Sequence, residues 1–151
     1  MNACVVDASV AIKWYLPEPH SEQALHLLRQ CQQGVVAFHA PDLFVSEAGN
    51  ILWKKVRRRA ITSEEAAAIS RNLLAVPVHL HLAKTLFPAA LRLSLDAGTT
   101  FYDSLYVALA VALECPLVSA DRRLLEAMQR AGLANTVCFL ADAEHSLPAI
   151  P

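Results

Sequence analysis

Residues 99–121 read TTFYDSLYVALAVALECPLVSAD, and nearly every side chain in the stretch is apolar. Two patterns divide it. Tyr102, Tyr106, Leu109 and Leu113 recur at helical spacing and mark the packed face of a helix over about Tyr102 to Leu113. Leu117 to Ser119 is a short apolar run of the kind that forms a buried strand. Two carboxylates break the pattern. Asp103 stands at the head of the helix and Asp121 just past the strand.

The same alternation extends in both directions. Upstream, Cys4 to Val6 reads as a strand, and a helix starts at Asp7 and runs through Val10, Ile12 and Trp14 until Pro17 and Pro19 stop it. Ser21 to Gln33 forms an amphipathic helix with Gly34 behind it, and Val35 to Phe38 a second strand. Pro41 opens a helix to about Arg58, and Thr62-Ser63-Glu64-Glu65 opens another to Leu74. Val76 to Leu82 is extended, and Ala83 to Leu95 is helical. Downstream, Asp121 to Arg130 is a helix stopped by Gly132, and Thr136 to Phe139 a last strand. Short apolar strands alternating with helices predict an α/β fold, a short parallel sheet covered by helices on both faces. The 151 residues suit one domain, taken as 1–140 with a tail at 141–151.

Composition narrows the function. The hydrophobic fraction of 55% supplies a sizeable core, and a net charge of −1 gives no global nucleic-acid signal. No apolar run is long enough to span a membrane, and the N-terminus lacks the pattern of a secretory signal, so a cytoplasmic protein is expected. Cys4, Cys31, Cys115 and Cys138 form no C-x-x-C pair and no zinc-finger spacing, and read as buried thiols. Nucleotide-binding glycine loops and the serine-hydrolase elbow are absent.

Each acid has a structural reading and a chemical one. Asp7 and Asp121 both follow a strand and precede a helix, where a carboxylate caps free backbone N–H groups; Ser9 could share that cap, and Arg122 or Arg123 could pair with Asp121. Asp103 lies third after Thr100, a carboxylate variant of the capping box. Glu47 is harder to explain, because helical spacing puts it in an apolar stripe with Leu43, Ala48 and Ile51, where it needs a partner such as Lys54 or Lys55. Together the acids suggest more. Strand C-termini of an open parallel sheet meet at one edge, where ligands bind. Four carboxylates converging there repel one another unless a cation joins them, and all-oxygen donors suit Mg²⁺ or Mn²⁺.

Four segments, VVDASVAIKWYLPE, APDLFVSEAGNILWK, TTFYDSLYVALA and PLVSADRRLL, resemble in order the four acidic motifs of the PIN domain, and most of all those of the VapC-type toxin ribonucleases. The resemblance implies an α/β/α sandwich of PIN type. It implies that Asp7, Glu47, Asp103 and Asp121 form the metal site and catalytic set, with Ser9 and Ser119 in support. The expected activity is Mg²⁺- or Mn²⁺-dependent endoribonuclease cleavage of RNA. The expected partners are a cognate antitoxin and a second copy of the chain, with no membrane. Two rivals remain. A haloacid-dehalogenase-like phosphatase also has an aspartate after its first strand, but normally wants a second acid where Ser9 stands. A PIN-like binding module with an inactive site is the other.

Asp42 suits the first turn of its helix, and Asp96 reads as a solvated residue at a helix end. His79 and His81 alternate on an extended segment and share a face, read as a surface pair. Lys54, Lys55, Arg57, Arg58 and Arg59 are the only basic run, either cations at a helix C-terminus or a patch for RNA phosphates.

Overall fold

A computed structural model of the chain describes residues 2–143. The strands are β1 (Asn2–Val6), β2 (Val36–Pro41), β3 (Val78–His81), β4 (Leu117–Ser119) and β5 (Val137–Phe139). Between them run α1 (Ala8–Ile12), α2 (Ser21–Gln32), α3 (Leu43–Arg57), α4 (Ser63–Ala75), α5 (Ala83–Ala97), α6 (Phe101–Ala112) and α7 (Arg122–Arg130). Every strand pair is parallel and the sheet order is β3-β2-β1-β4-β5. α5 packs on α6 and touches α7, while α1 packs on α3 and α3 on α4. Right-handed crossovers place these two groups on opposite faces of the sheet.

The order of the strands locates the site. From β1 the chain winds outward to β2 and β3, then returns to the other side of β1 for β4 and β5. The winding therefore reverses between β1 and β4. Loops leaving the C-terminal ends of these two strands diverge and open a crevice at their switch point. Val5, Val6, Leu117 and Val118 are all fully buried, so the strands beneath that crevice end in apolar packing.

Local chemistry sets the helix ends. Thr62 and Glu65 form a reciprocal capping box, Thr62 Oγ1 accepting from Glu65 N at 3.1 Å and Glu65 Oε2 from Thr62 N at 2.7 Å. Gly98 and Gly132 adopt positive φ of 68° and 76° just past α5 and α7, a conformation that costs side-chain-bearing residues.

Two boundaries differ from the sequence expectation. Pro41 ends β2 rather than opening α3, because the sheet still has a partner for it in His81. The first helix stops at Ile12, and Trp14 lies in the following turn with its ring stacked on Phe38, centroids 5.3 Å apart. Of the tail placed at 141–151, residues 144–151 lie outside the described residues. Leu140–Asp142 forms a 3₁₀ turn, and Ala143 is buried. Among the described residues no helix is long and apolar enough to cross a membrane.

Candidate active site

The crevice gathers all four acids. Asp7, Glu47, Asp103 and Asp121 line one cavity of about 270 Å³, together with Ser9, Asn50, Lys54 and Tyr106. Asp7 comes from the end of β1, Asp121 from the loop after β4, Asp103 from the first turn of α6 and Glu47 from the second turn of α3. Glu47, Asn50, Ile51 and Lys54 follow helical spacing, so one face of α3 forms a wall.

Asp7 is the most firmly held. It caps α1, its Oδ1 accepting from Val10 N at 2.8 Å and from Ser9 Oγ at 2.6 Å. Ser9 thus holds the capping carboxylate instead of capping the helix itself. Ser119 Oγ, on a residue only 1% exposed, donates to the other oxygen of Asp7 at 2.5 Å. Burial raises the Asp7 carboxyl above its ordinary range, the three hydrogen bonds pull it back, and the charge of Asp103 raises it again.

Asp103 occupies the third position of α6, as the sequence suggests. Its N–H donates to Thr100 Oγ1 at 3.1 Å, but the return bond differs from a capping box. Thr100 Oγ1 donates to Asp103 Oδ2 at 2.7 Å, and the carboxylate leaves the Thr100 N–H alone. The cap therefore turns Asp103 on the hydroxyl and leaves Oδ1 for other contacts. Burial raises its pKa, the Thr100 bond lowers it, and Asp121 raises it.

Asp121 caps α7, Oδ1 accepting from Arg123 N at 2.8 Å and Leu124 N at 3.4 Å. Neither arginine pairs with it, and the Arg122 guanidinium instead lies 4.2 Å over the Phe139 ring. Glu47 takes neither of the lysines considered for it. Tyr106 donates to Glu47 Oε2 at 2.5 Å from α6, and Lys55 turns away to Glu18. Burial raises the Glu47 carboxyl, the tyrosine bond lowers it, and Asp7 and Asp103 raise it further. Tyr106 is itself pushed far up by burial and by Glu47, so it stays a neutral donor.

Three of the four acids thus have raised proton affinity, and the named charges acting on them are other acids of the cluster. Among the described residues no three His, Cys, Asp or Glu side chains already converge as ligands of one ion. Like charges held near one another in this way are balanced by protons or by a cation. The donors are all oxygen, which suits a hard divalent ion.

The remaining polar residues lie elsewhere. Asp42 Oδ1 accepts from Ala83 N at 3.1 Å and ties α3 to the start of α5. His79 and His81 are joined by His39 on the neighbouring strand, with His39 Nδ1 3.0 Å from His81 Nε2. Tyr106 and Asn50 line the cavity without having been expected there from the sequence. The spacing Glu47, Asn50, Lys54 was a usable signal for Asn50; the reach of the Tyr106 hydroxyl was not visible without the distance between α3 and α6.

Comparison with known proteins agrees with this architecture. The PIN domain family model matches residues 4–130. Ribonuclease VapC3 of Pyrobaculum aerophilum is 36% identical over 124 residues, covering 81% of this chain and 92% of the relative. The crystal structure of PAE2754 from the same organism superposes with a TM-score of 0.68 at 24% identity, covering 93% of this chain and 92% of that one. VapBC2 from Rickettsia felis, bound to a DNA fragment from its promoter, matches with a TM-score of 0.61 at 9% identity, over 91% of this chain and 98% of that one. A parallel sheet whose switch point collects acids from four ordered motifs, and a relative alike over most of both chains, place this protein in the PIN domain family, among its VapC-type toxin–antitoxin ribonucleases.

Proposed function

We propose that the chain is a metal-dependent endoribonuclease, the toxin of a VapBC-type pair, and that Asp7, Glu47, Asp103 and Asp121 hold Mg²⁺ or Mn²⁺. The observation that carries the reading is the acid cluster itself: four carboxylates line one cavity, three with raised proton affinity. A bound divalent ion lowers the pKa of a water so that it attacks at neutral pH, and offsets charge on the phosphate as it reacts.

The chain's own groups supply position. Ser9, Ser119 and the Val10 N–H fix both oxygens of Asp7. Thr100 sets the rotation of Asp103, and Tyr106 aims Glu47 into the cavity. Asp121 spends one oxygen on the α7 cap and keeps the other for a second ion or for water. Attack by water rather than by the RNA 2′-hydroxyl leaves a 5′-phosphate. The haloacid-dehalogenase alternative lacks its second acid, since Ser9 occupies that position and bonds to Asp7.

The partners in this reading are an antitoxin and a second copy. Phe87, Leu91 and Leu95 form an uncovered stripe on α5, 51%, 42% and 75% exposed, and such patches mark interfaces. Purified protein should cleave single-stranded RNA in Mg²⁺ or Mn²⁺ and stop in EDTA; equal cleavage in EDTA would sink the mechanism. Light scattering should give a dimer, and the product of an adjacent gene should inhibit.

A further inference from the structure

A second cavity opens beside the acids. Its volume is about 630 Å³, and it shares Ser9 and Asp121 with the acid cavity. That is inside the range of about 300–1,000 Å³ found for ligand pockets. Lys13, His20, Arg122, Arg123 and Phe139 are among its other lining residues. The balance of charge differs: four carboxylates and one lysine line the acid cavity, whereas Lys13, Arg122 and Arg123 face a single carboxylate, Asp121, in the second.

The state of those cations matters. Among the described residues the ion pairs are Lys13–Glu18 and Lys55–Glu18. Both lysines share the one carboxylate of Glu18, which balances one of their two charges, whereas Arg122 and Arg123 pair with no described carboxylate. Arg122 is nevertheless held in place. Its guanidinium lies 4.2 Å over Phe139, a ring only 5% exposed, and His20 meets the same ring edge-on at 5.4 Å. A guanidinium held over a buried ring keeps its N–H groups uncommitted to any described carboxylate, and such a group can take an anion in bidentate fashion. Arg123 stands beside it, its main chain fixed by the Asp121 cap.

A divalent ion at the acids would offset the charge of the phosphate that reacts there, but the neighbouring phosphates of the strand still gain from cations beside the cluster. Resting on the ribonuclease reading above, we propose that this cavity is a nucleotide subsite, in which Arg122 and Arg123 bind the backbone phosphate next to the scissile one. The ligand is a phosphodiester of single-stranded RNA. Because the cavity opens onto Asp121 and Ser9, a phosphate held there lies one step along the strand from the phosphate at the acids. Arg122 and Arg123 are substrate-binding residues here, and Phe139 positions Arg122.

The test is cleavage kinetics of single-stranded RNA in Mn²⁺ at several salt concentrations, for wild type, Arg122→Ala, Arg122→Lys, Arg123→Ala and the control Arg130→Ala at the far end of α7. Arg122→Ala should raise KM about tenfold with kcat nearly kept, as for one lost charge-assisted contact. The slope of log affinity against log salt should flatten by about 0.7, the single-strand value per phosphate. Arg122→Lys should keep the salt slope and recover only part of KM, because the ammonium cannot stack as the guanidinium does. Arg130→Ala should match wild type. Stabilisation by Mn²⁺ should be the same in every variant, which separates a lost subsite from a damaged acid centre. Wild-type protein that cuts no RNA would defeat the ribonuclease reading. Wild type that cuts, with Arg122→Ala and Arg123→Ala unchanged in KM and salt slope, would defeat the subsite alone. Unchanged RNA kinetics combined with weaker inhibition by the neighbouring-gene product would assign the cavity to a protein partner and overturn the proposal.

Discussion

Glu18 and Glu47 are both partly buried glutamates near α3, and they are treated in opposite ways. Burial raises the Glu18 carboxyl, but hydrogen bonds and charges from Lys55 and Lys13 outweigh it and hold the group below the ordinary range. Burial raises Glu47 too, and there the neighbouring charges are Asp7 and Asp103, which push the same way. Lys54 and Lys55 are adjacent in sequence, yet Lys55 bonds to Glu18 and Lys54 lines the acid cavity with no carboxylate among the described ion pairs. An ion pair completed inside the protein is a structural device. Glu47 has other carboxylates, a neutral phenol and one lysine not ion-paired with it around its cavity, so its charge is not closed off by an internal ion pair.

That contrast can be broken at several points. The largest effect is expected at the cluster. Glu47→Gln or Asp7→Asn should reduce RNA cleavage by orders of magnitude, as loss of an ion-holding acid does. Glu18→Gln should leave cleavage within a few-fold of wild type. Comparable losses at both glutamates in one cleavage assay would erase the distinction.

Tyr106→Phe comes next. It removes the hydroxyl that aims Glu47 and changes no charge. Residues that orient a ligand typically contribute about ten- to a hundredfold in metal affinity or activity, and a loss at the lower end is expected here. Titration with Mn²⁺ should show the weaker binding directly. Wild-type affinity in the phenylalanine variant would mean the hydrogen bond serves packing only.

The pH dependence of stability should also separate the two regions. Asp7, Glu47 and Asp103 have folded-state pKa values above their unfolded ones. Their protonated forms favour folding, so their contribution is fully present below about pH 4 and is lost as pH rises through the raised values. Glu18 has the opposite sign, contributing above its unfolded pKa and losing that contribution as pH falls. Metal-free Glu18→Gln protein should therefore lose stability as pH rises from 4 toward neutrality. Saturating Mn²⁺ should reverse the slope, because binding requires ionised acids. Urea melts across this range decide it, and a flat profile in both conditions would count against coupling among the acids.

The smallest effect belongs to Lys55→Ala. It breaks a partly exposed ion pair and should cost about 0.5–1 kcal/mol in a denaturant melt, with cleavage retained.

How much of this the sequence disclosed depends on the range of each interaction. Asp7, Asp103 and Asp121 were visible because each stands at an element boundary, and Glu47 because helical spacing put a charge in an apolar stripe. The parallel sheet was visible from its short apolar strands. Partners across the fold were not. The bond from Lys55 to Glu18 spans 37 residues, and the bond from Tyr106 to Glu47 spans 59. Likewise His39 joins His79 and His81 only because β2 pairs with β3 in a register that sets His39 beside His79. Local rules also misplaced some details: Pro41 stays in the sheet because a neighbouring strand is there to meet it, and Arg122 prefers a buried ring to the carboxylate beside it in sequence.

In the proposed function, the acid at the head of the apolar helix belongs to a charge cluster completed by a cation. Asp103→Asn tests it by sign. Denaturant melts of wild type and variant, each with and without Mn²⁺, give four stabilities. Without metal the variant should be as stable as wild type or more so, since one repelling charge has gone. Mn²⁺ should stabilise wild type clearly and the variant much less, because weaker binding contributes less linkage energy. A variant less stable by about 1 kcal/mol in both conditions, with no Mn²⁺ effect on either protein, would show that Asp103 is a helix cap and contradict its place in a cation-completed cluster.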